Sequence, residues 1–301
     1  MLEKIHHPSL VAVWPGMGGV AISAGYYLMA KLGMHTLMEF PSEDFFEIEK
    51  IQVEHGLIQA THAPRNRLFI WSDPNKQHDL ILFIGEAQPP TRGASFCRQI
   101  INRAMELGVH QVITFAAMAT EMRPKHDSRV FCAAIDPPTL KSLRNLSAEP
   151  LESGSISGLN GVFLNMAAEH GMTGGCLLGE IPMIFSQIPF PKASLAVLEK
   201  FKQSNNIPLD LTELRTQAKK VEFTLEDFLT RIEKNAATID SVTDPHPPAS
   251  PEPSQRDHIE KLFRKAATDR SHAYELKQEL DRLKLFSKYE DRFLDLFRDI
   301  G

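Results

Sequence analysis

Two glutamates in this 301-residue chain stand where a carboxylate could do chemistry. Glu86 follows the apolar run Leu80-Ile81-Leu82-Phe83-Ile84 and Gly85, and Glu180 follows Cys176-Leu177-Leu178 and Gly179. In each case a Gly-Glu pair closes a short apolar run that reads as a buried strand. Ligands of open α/β sheets sit outside the C-terminal ends of the strands, where these carboxylates are expected. Two carboxylates in one pocket could divide general acid and general base work, provided their surroundings separate their pKa values. For Glu180 the competing reading is a helix-capping or solvent-facing side chain.

A third feature is Pro15-Gly16-Met17-Gly18-Gly19, between an apolar strand and a helix. Such a turn could offer backbone N–H groups to an anion at the helix N-terminus. It lacks the Gly-Lys-Ser/Thr of a phosphate loop and the GxGxxG of a dinucleotide fold, so a plain tight turn accounts for it as well. Gln88, Thr120 and Asn160 lie in neighbouring strand exits and loops. The candidate pocket is therefore Gly16, Gly18, Gly19, Glu86, Gln88, Thr120, Asn160 and Glu180. No catalytic residue is assigned, and no cofactor or metal is expected. The chain has no GxSxG, no HExxH and no Cys/His pair at diagnostic spacing. His6, His7 and His246 fall in expected loops, and His170 at a helix end, where a cation is favourable.

The elements that must position these residues alternate between strand and helix. Leu10 to Trp14 reads as a first strand, with a helix from about Val20 to Leu32 after the glycine turn. Met34 to Phe40 is a second strand, Ile51 to Thr61 a hairpin turning at His55-Gly56, and Leu68 to Trp71 another short strand. Leu80 to Ile84 is the clearest strand. Gly93 to Leu107 is a helix with Phe96, Ile100, Ile101 and Ala104 on one face, stopped by Gly108. Strands follow at Val109 to Ala117 and Arg129 to Ile135, then a short helix that starts at Asp136-Pro137-Pro138 and ends near Leu146. Glu152 to Pro182 reads as loop, helix and strand, with Val162, Phe163, Met166 and Ala167 as the buried stripe and His170-Gly171 as the stop. Lys192 to Ser204 is helical, and Asp210 to Thr238 is a long amphipathic helix or a broken pair. This alternation predicts a three-layer α/β sandwich with a largely parallel central sheet. If the strands ending near Trp14, Ile84, Ala117 and Leu178 are parallel neighbours, their exits line one edge of it.

Three regions are expected: a main α/β domain over 1–239, a linker over 240–255 and a helical appendage over 256–301. The linker, DSVTDPHPPASPEPSQ, holds five prolines and no large apolar residue beyond Val242, which favours an extended, solvated segment. The appendage lacks proline and carries Ile259, Leu262, Phe263 and Ala266 on one helical face. Leu276, Leu280 and Leu283 make a second, and Tyr289, Phe293 and Leu296 a third. A unit this small buries little by itself, so it is expected to dock on a protein partner, a second subunit or the main domain.

The composition is 43% hydrophobic and 24% charged, with a formal net charge of −5. Nothing electrostatic points to nucleic acid or an anionic membrane. Cys97, Cys132 and Cys176 sit singly in apolar runs, as buried reduced thiols do. Leu10 to Leu32 is broken by Pro15, Gly16, Gly18 and Gly19, which argues against a signal or a membrane span. A cytoplasmic protein is expected.

At the level of ordered motifs the chain resembles a known family. The motifs are Pro-Gly-Met-Gly-Gly after an early strand, Phe83-Ile84-Gly85-Glu86-Ala87-Gln88-Pro89, Ile156-Ser157-Gly158-Leu159-Asn160-Gly161 and Cys176-Leu177-Leu178-Gly179-Glu180-Ile181-Pro182. Their order over residues 8 to 235 resembles the proteasome assembly chaperone 2 family, which has archaeal and bacterial members. The resemblance implies a nucleoside phosphorylase-like fold and a homo-oligomer. In eukaryotes and some archaea it implies help in building proteasome α-rings, while most bacterial members have no assigned activity. Family members that engage a proteasome ring tend to end in a hydrophobic residue, tyrosine and any residue. This sequence ends Asp299-Ile300-Gly301, so docking by that route is not expected.

Two functions compete. The first is a non-catalytic assembly chaperone or scaffold, which needs no residue in the pocket. The alternative is a small-molecule-binding protein or hydrolase for a nucleoside- or phosphate-containing ligand, with Glu86 and Glu180 as working groups and the glycine turn for an anion. Self-association is expected through Tyr26, Tyr27 and Met29 on the first helix.

Overall fold

The computed structural model describes residues 5–41, 44–46, 51–59, 63–242, 253–268, 272–283 and 285–296. They form two compact units, residues 1–233 and residues 234–301. The first opens with β1 (Ser9–Val13), α1 (Val20–Lys31), β2 (His35–Phe40) and the hairpin β3 (Gln52–Glu54) and β4 (Leu57–Gln59). It continues through β5 (Asn66–Trp71), β6 (Leu80–Gly85), α2 (Gly93–Glu106), β7 (Gln111–Thr120) and β8 (Val130–Ala134). Then come α3 (Pro137–Asn145), the two-residue β9 (Glu149–Pro150), α4 (Leu159–Glu169), β10 (Thr173–Pro182) and α5 (Pro191–Asn205).

Eight strands form one sheet in the order β2-β5-β6-β1-β7-β10-β8-β9. The middle four, β6, β1, β7 and β10, run parallel as consecutive neighbours. The flanking β5, β2 and β8 pair antiparallel. Both faces are covered. Val11, Val13, Leu82, Phe115 and Leu177 point to one apolar cluster, beneath α1 and α5. Leu10, Ala12, Trp14, Phe83 and Cys176 point to the other, beneath α2 and α4. This is why the central strands read as unbroken apolar runs: each residue is buried on one face or the other. The hairpin β3–β4 forms a separate two-stranded sheet, with its turn at His55-Gly56.

Two strands outrun their sequence signals. β7 continues past Ala117 to Thr120, and β10 spans ten residues, taking in Gly174, Gly175, Gly179 and Glu180. The glycines of β10 mark close approaches and not turns. A Cβ on Gly174 would lie 1.8 Å from the Val112 carbonyl oxygen, and one on Gly175 would lie 2.3 Å from that of Ala133. A Cβ on Gly179 would lie 2.7 Å from the Ala193 carbonyl oxygen of α5.

The region Asp210 to Thr238 is one continuous helix, α6 (Thr212–Val242). Leu214, Ala218, Leu225 and Leu229 of α6 are buried in the cluster beneath α1 and α5. Three further helices follow: α7 (Pro253–Thr268), α8 (Ala273–Arg282) and α9 (Phe286–Asp295). They share a small core of Ile259, Leu262, Phe263, Ala266, Leu276 and Leu280. Arg292 joins α9 to α7 through its ion pair with Glu260, and its guanidinium lies 4.2 Å from the centre of the Phe263 ring. The expected linker is therefore shorter than 240–255. Residues 240–242 belong to α6, and α7 starts at Pro253, since proline is tolerated in a first helical turn, where no intrahelical N–H bond is lost. Residues 243–252 of that linker lie outside those described.

Two measurements check this account. Gly179→Ala is expected to cost about 1–3 kcal/mol, the range for overpacking a filled interior, because the new methyl meets the α5 backbone. Urea unfolding would register it, and an unchanged midpoint would show that α5 can move away freely. A chain ending at Val242 keeps both apolar clusters of the sheet and is expected to melt in one cooperative transition.

Candidate functional site

The C-terminal ends of the four parallel strands open on a cavity of about 550 Å³. That lies within the usual few hundred to a thousand Å³ of small-ligand pockets. β1 contributes Trp14 and Gly16 at its exit, β6 contributes Gln88, β7 contributes Ala116 to Ala119, and β10 contributes Leu178. The loop between β9 and α4 adds Leu151 and the stretch from Ser153 to Gly158, and Met17, Ala21 and Asn160 complete the wall.

The strand geometry explains the opening. β1 stays in register with β7 only from Ser9↔Gln111 to Ala12↔Thr114, while β7 runs on beside β10 to Thr120. Past Trp14 the chain turns away through Pro15, and among the described residues no strand pairs with the far half of β7 on that side. The turn itself uses left-handed backbone at Gly18 (φ 60°) and Gly19 (φ 57°), the conformation that favours glycine. Trp14 is buried against Phe83 and Phe163, with ring centres 5.5 Å away in both cases. Gly85 makes room for it: a Cβ there would lie 2.6 Å from the indole Cδ1.

Of the eight candidate residues, three line the cavity: Gly16, Gln88 and Asn160. Gln88 ties its walls together. Its Nε2 donates to the Pro15 carbonyl at 2.8 Å, and its Oε1 accepts from the Leu159 N–H at 3.1 Å. Asn160 Nδ2 donates to the Phe115 carbonyl at 3.1 Å, while its Oδ1 is buried without a protein partner. The wall loop folds tightly onto α4, since a Cβ on Gly161 would lie 2.1 Å from the Ile156 carbonyl oxygen.

The other five sit elsewhere, each for a physical reason. The glycine turn does not present a set of free donors to an anion: Gly18 N–H donates to the Ser186 carbonyl at 2.7 Å and Gly19 N–H to that of Gly16 at 3.0 Å. Glu86 turns toward β5, accepting from the Arg67 guanidinium at 2.7 Å and the Arg65 N–H at 2.9 Å. Glu180 turns toward β8. It is buried inside β10, with Oε1 accepting from Arg129 at 2.6 Å and from the Thr120 hydroxyl at 2.8 Å. Its Oε2 accepts from Arg129 Nε at 2.9 Å. Thr120 is thereby a partner of Glu180 and no part of the lining. The two carboxylates expected to share a pocket are each paired with an arginine, Arg67 on β5 and Arg129 just ahead of β8.

This leaves a lining with no charged side chain. The Cys97 and Cys176 thiols are pushed up to about 12 by burial, which makes them poor nucleophiles. Among the described residues no group of three or more His, Cys, Asp or Glu side chains converges as a metal ligand set. The arrangement can enclose an uncharged group and offer it backbone hydrogen bonds. Sequence reasoning missed Ala116, Ala117 and Met118, because plain apolar side chains inside a strand carry no chemical signal of their own. It also missed the Ser153-Gly154-Ser155 wall, although its composition marks a permissive loop.

The Arg129 hydrogen bonds, followed by those from Thr120 and the Arg129 N–H, hold the Glu180 carboxyl below its ordinary 4.5 against the opposing effect of burial. A depressed carboxylate stabilises the fold above its unfolded value, and that contribution is lost as the pH falls through the folded value. Glu180→Gln is expected to cost roughly 2–3 kcal/mol at neutral pH, near the low end for breaking a buried pair, because Arg129 is half exposed. The gap to the unsubstituted protein should narrow as the pH drops below 4.5. A gap that stays constant in denaturation curves from pH 7 to pH 3 would rule out the ion pair as its source.

Comparison with known proteins places this fold. The sequence model of the PAC2 family matches residues 10–229, nearly the whole of the α/β unit. An uncharacterized protein of Methanocaldococcus jannaschii is 25% identical over 243 residues, which cover 77% of this chain and 86% of that one. A Pyrococcus furiosus structure, described as an archaeal proteasome activator, superposes with a TM-score of 0.64 at 23% identity, covering 77% of this chain and 96% of its own. A PAC2 family protein from Streptomyces avermitilis gives 0.63 at 23% identity, over 73% of this chain and 95% of its own. A proteasome-assembly chaperone homologue from Mycobacterium tuberculosis gives 0.62 at 20% identity, over 79% and 97%. At these identities the structures speak for the fold alone, and the family match speaks for descent: this chain belongs to the PAC2 family.

Proposed function

We propose that this protein is a non-catalytic, chaperone-like partner in the assembly of a larger protein complex, acting as a homo-oligomer in the cytoplasm. The observation that carries the reading is the family match across the α/β unit. Two Pyrococcus furiosus proteins of similar fold are described as an archaeal proteasome activator and an archaeal homolog of proteasome-assembly chaperone. A proteasome, or a comparable ring of subunits, is accordingly the partner class put forward. Site chemistry supports a binding role over a catalytic one: the lining is uncharged, and Glu86 and Glu180 are committed to arginines.

The surface also favours protein contacts, though through different residues than α1 suggested. Tyr27 and Met29 pack within the chain, and the Tyr27 hydroxyl donates to the Asp210 carbonyl at 3.0 Å. Of the three, only Tyr26 is exposed. The hairpin offers more. Ile51, Val53, Leu57 and Ile58 are 56–70% exposed, and Val53 and Ile58 are cross-strand partners on one face. An isolated two-stranded hairpin is marginal in water, so cover from a second copy would stabilise it. The C-terminal helices, with a core of their own, are the second surface proposed for a protein partner.

A second reading is favoured by the cavity alone, namely a small-molecule binder. Such a ligand would be uncharged, since a phosphate would find no cation in the lining.

The protein is expected to scatter light as a multiple of 33.8 kDa at micromolar concentration. Replacing Val53 and Ile58 together by aspartate should yield a single 33.8 kDa species. An unsubstituted chain that is already monomeric would remove the oligomer from the proposal. For the assembly role, α-type subunits of an archaeal proteasome would be mixed with and without this protein and ring formation followed by native electrophoresis. Rings formed at the same rate and yield in both would overturn it.

A further inference from the structure

The floor of the cavity is a strand edge. Along a parallel strand, the N–H and C=O of alternate residues point to alternate neighbours. The Thr173 N–H donates to the His110 carbonyl at 3.0 Å, which turns the even-numbered residues of β7 toward β10. Asn160, reaching in from the opposite side, takes the carbonyl of Phe115. Both observations turn Phe115, Ala117 and Ala119 toward the line of β1, and β1 is no longer there: its register with β7 ends at Ala12↔Thr114. Among the described residues, no protein group pairs with the N–H or C=O of Ala117 or Ala119. Ala116 to Ala119 are part-buried and line the cavity.

We propose that this cavity takes up an extended, uncharged segment of another polypeptide, which adds as a strand along the open side of β7. An unpaired strand edge is a template for main-chain pairing, with affinity coming from backbone hydrogen bonds and specificity from pockets for alternate side chains. Four features fit that occupant. The open donors and acceptors recur at every second residue, the repeat that a strand satisfies and a compact ligand does not. The side chains of Ala116, Ala117 and Ala119 are small, which leaves width for a backbone. The lining carries no charge, so a charged side chain entering it would lose its hydration without a partner. The Asn160 amide that takes the Phe115 carbonyl also carries a buried oxygen without a partner, an acceptor next in line for an incoming N–H. The proposal goes beyond the assembly role and does not rest on it, since peptide uptake and ring assembly are read separately.

The test uses the full chain and two sets of acetylated, amidated hexapeptides. One set is built from alanine, valine, threonine and serine; the other carries lysine or glutamate at alternate positions. Amide hydrogen exchange, followed residue by residue by NMR, is the readout. Peptides of the uncharged set are expected to slow exchange at Ala117 and Ala119 at least tenfold, and the charged set to leave it unchanged. In the best peptide, N-methylation of alternate amides in one register should weaken binding at least tenfold, and in the other register leave it intact. Ala117→Pro removes an N–H that β10 does not use, so it should abolish uptake while the melting transition persists. The N-methyl comparison needs no variant and stands if that one fails to fold. If no peptide slows exchange at Ala117 and Ala119, or if both N-methyl registers bind alike, the proposal is overturned.

Discussion

The closeness of β10 to its neighbours is the constraint on which the rest of the sheet depends. Gly174, Gly175 and Gly179 leave no room for a side chain against β7, β8 and α5 respectively. The tight seat fixes the register of ten consecutive residues on β7 and five on β8. That register carries Glu180 to the start of β8, where Arg129 meets it, and brings Leu178 to the cavity wall. It also keeps β7 paired as far as Thr120, well past the point where β1 departs. Glycine weakens a strand interior because it adds no packing and loses the most chain entropy. The three are retained here because the neighbouring backbones fill the space that side chains would occupy.

Most of the architecture was legible in the sequence, because both faces of the sheet are covered. Runs such as Leu80 to Ile84 and stripes such as Phe96, Ile100, Ile101 and Ala104 announce themselves through burial alone. The parallel order of the four central strands follows from the helices between them. The ends of strands were harder to place. Gly179 reads as the close of its apolar run and yet lies inside β10, since nothing in one sequence separates a glycine that turns the chain from one that admits a neighbour. The two-residue β9 carries too little pattern to notice.

Of the candidate residues placed by strand exits, the structure brings only some together. Strand exits do converge on a cavity, and Gly16, Gln88 and Asn160 are there. The carboxylates went astray because their partners are distant in sequence. Glu180 meets Arg129 across a strand pair, and Glu86 meets Arg67 across another. A Gly-Glu pair at a strand end looks the same whether the carboxylate faces a ligand or a neighbouring arginine. Which it faces depends on strand order at the margins of the sheet, where β5 and β8 run antiparallel and bring their arginines alongside.

The alanines on the cavity floor have a consequence for how such a surface evolves. A recognition surface made of side chains is rewritten by substitution, and truncation to alanine exposes which positions matter. At Ala116, Ala117 and Ala119 there is nothing to truncate, and the N–H and C=O groups that Ala117 and Ala119 leave open belong to every amino acid except proline, which lacks the N–H. An alanine scan would pass over this floor in silence. Relatives could diverge widely in sequence and still keep the same main-chain ledge, so long as the strand beside it stops short.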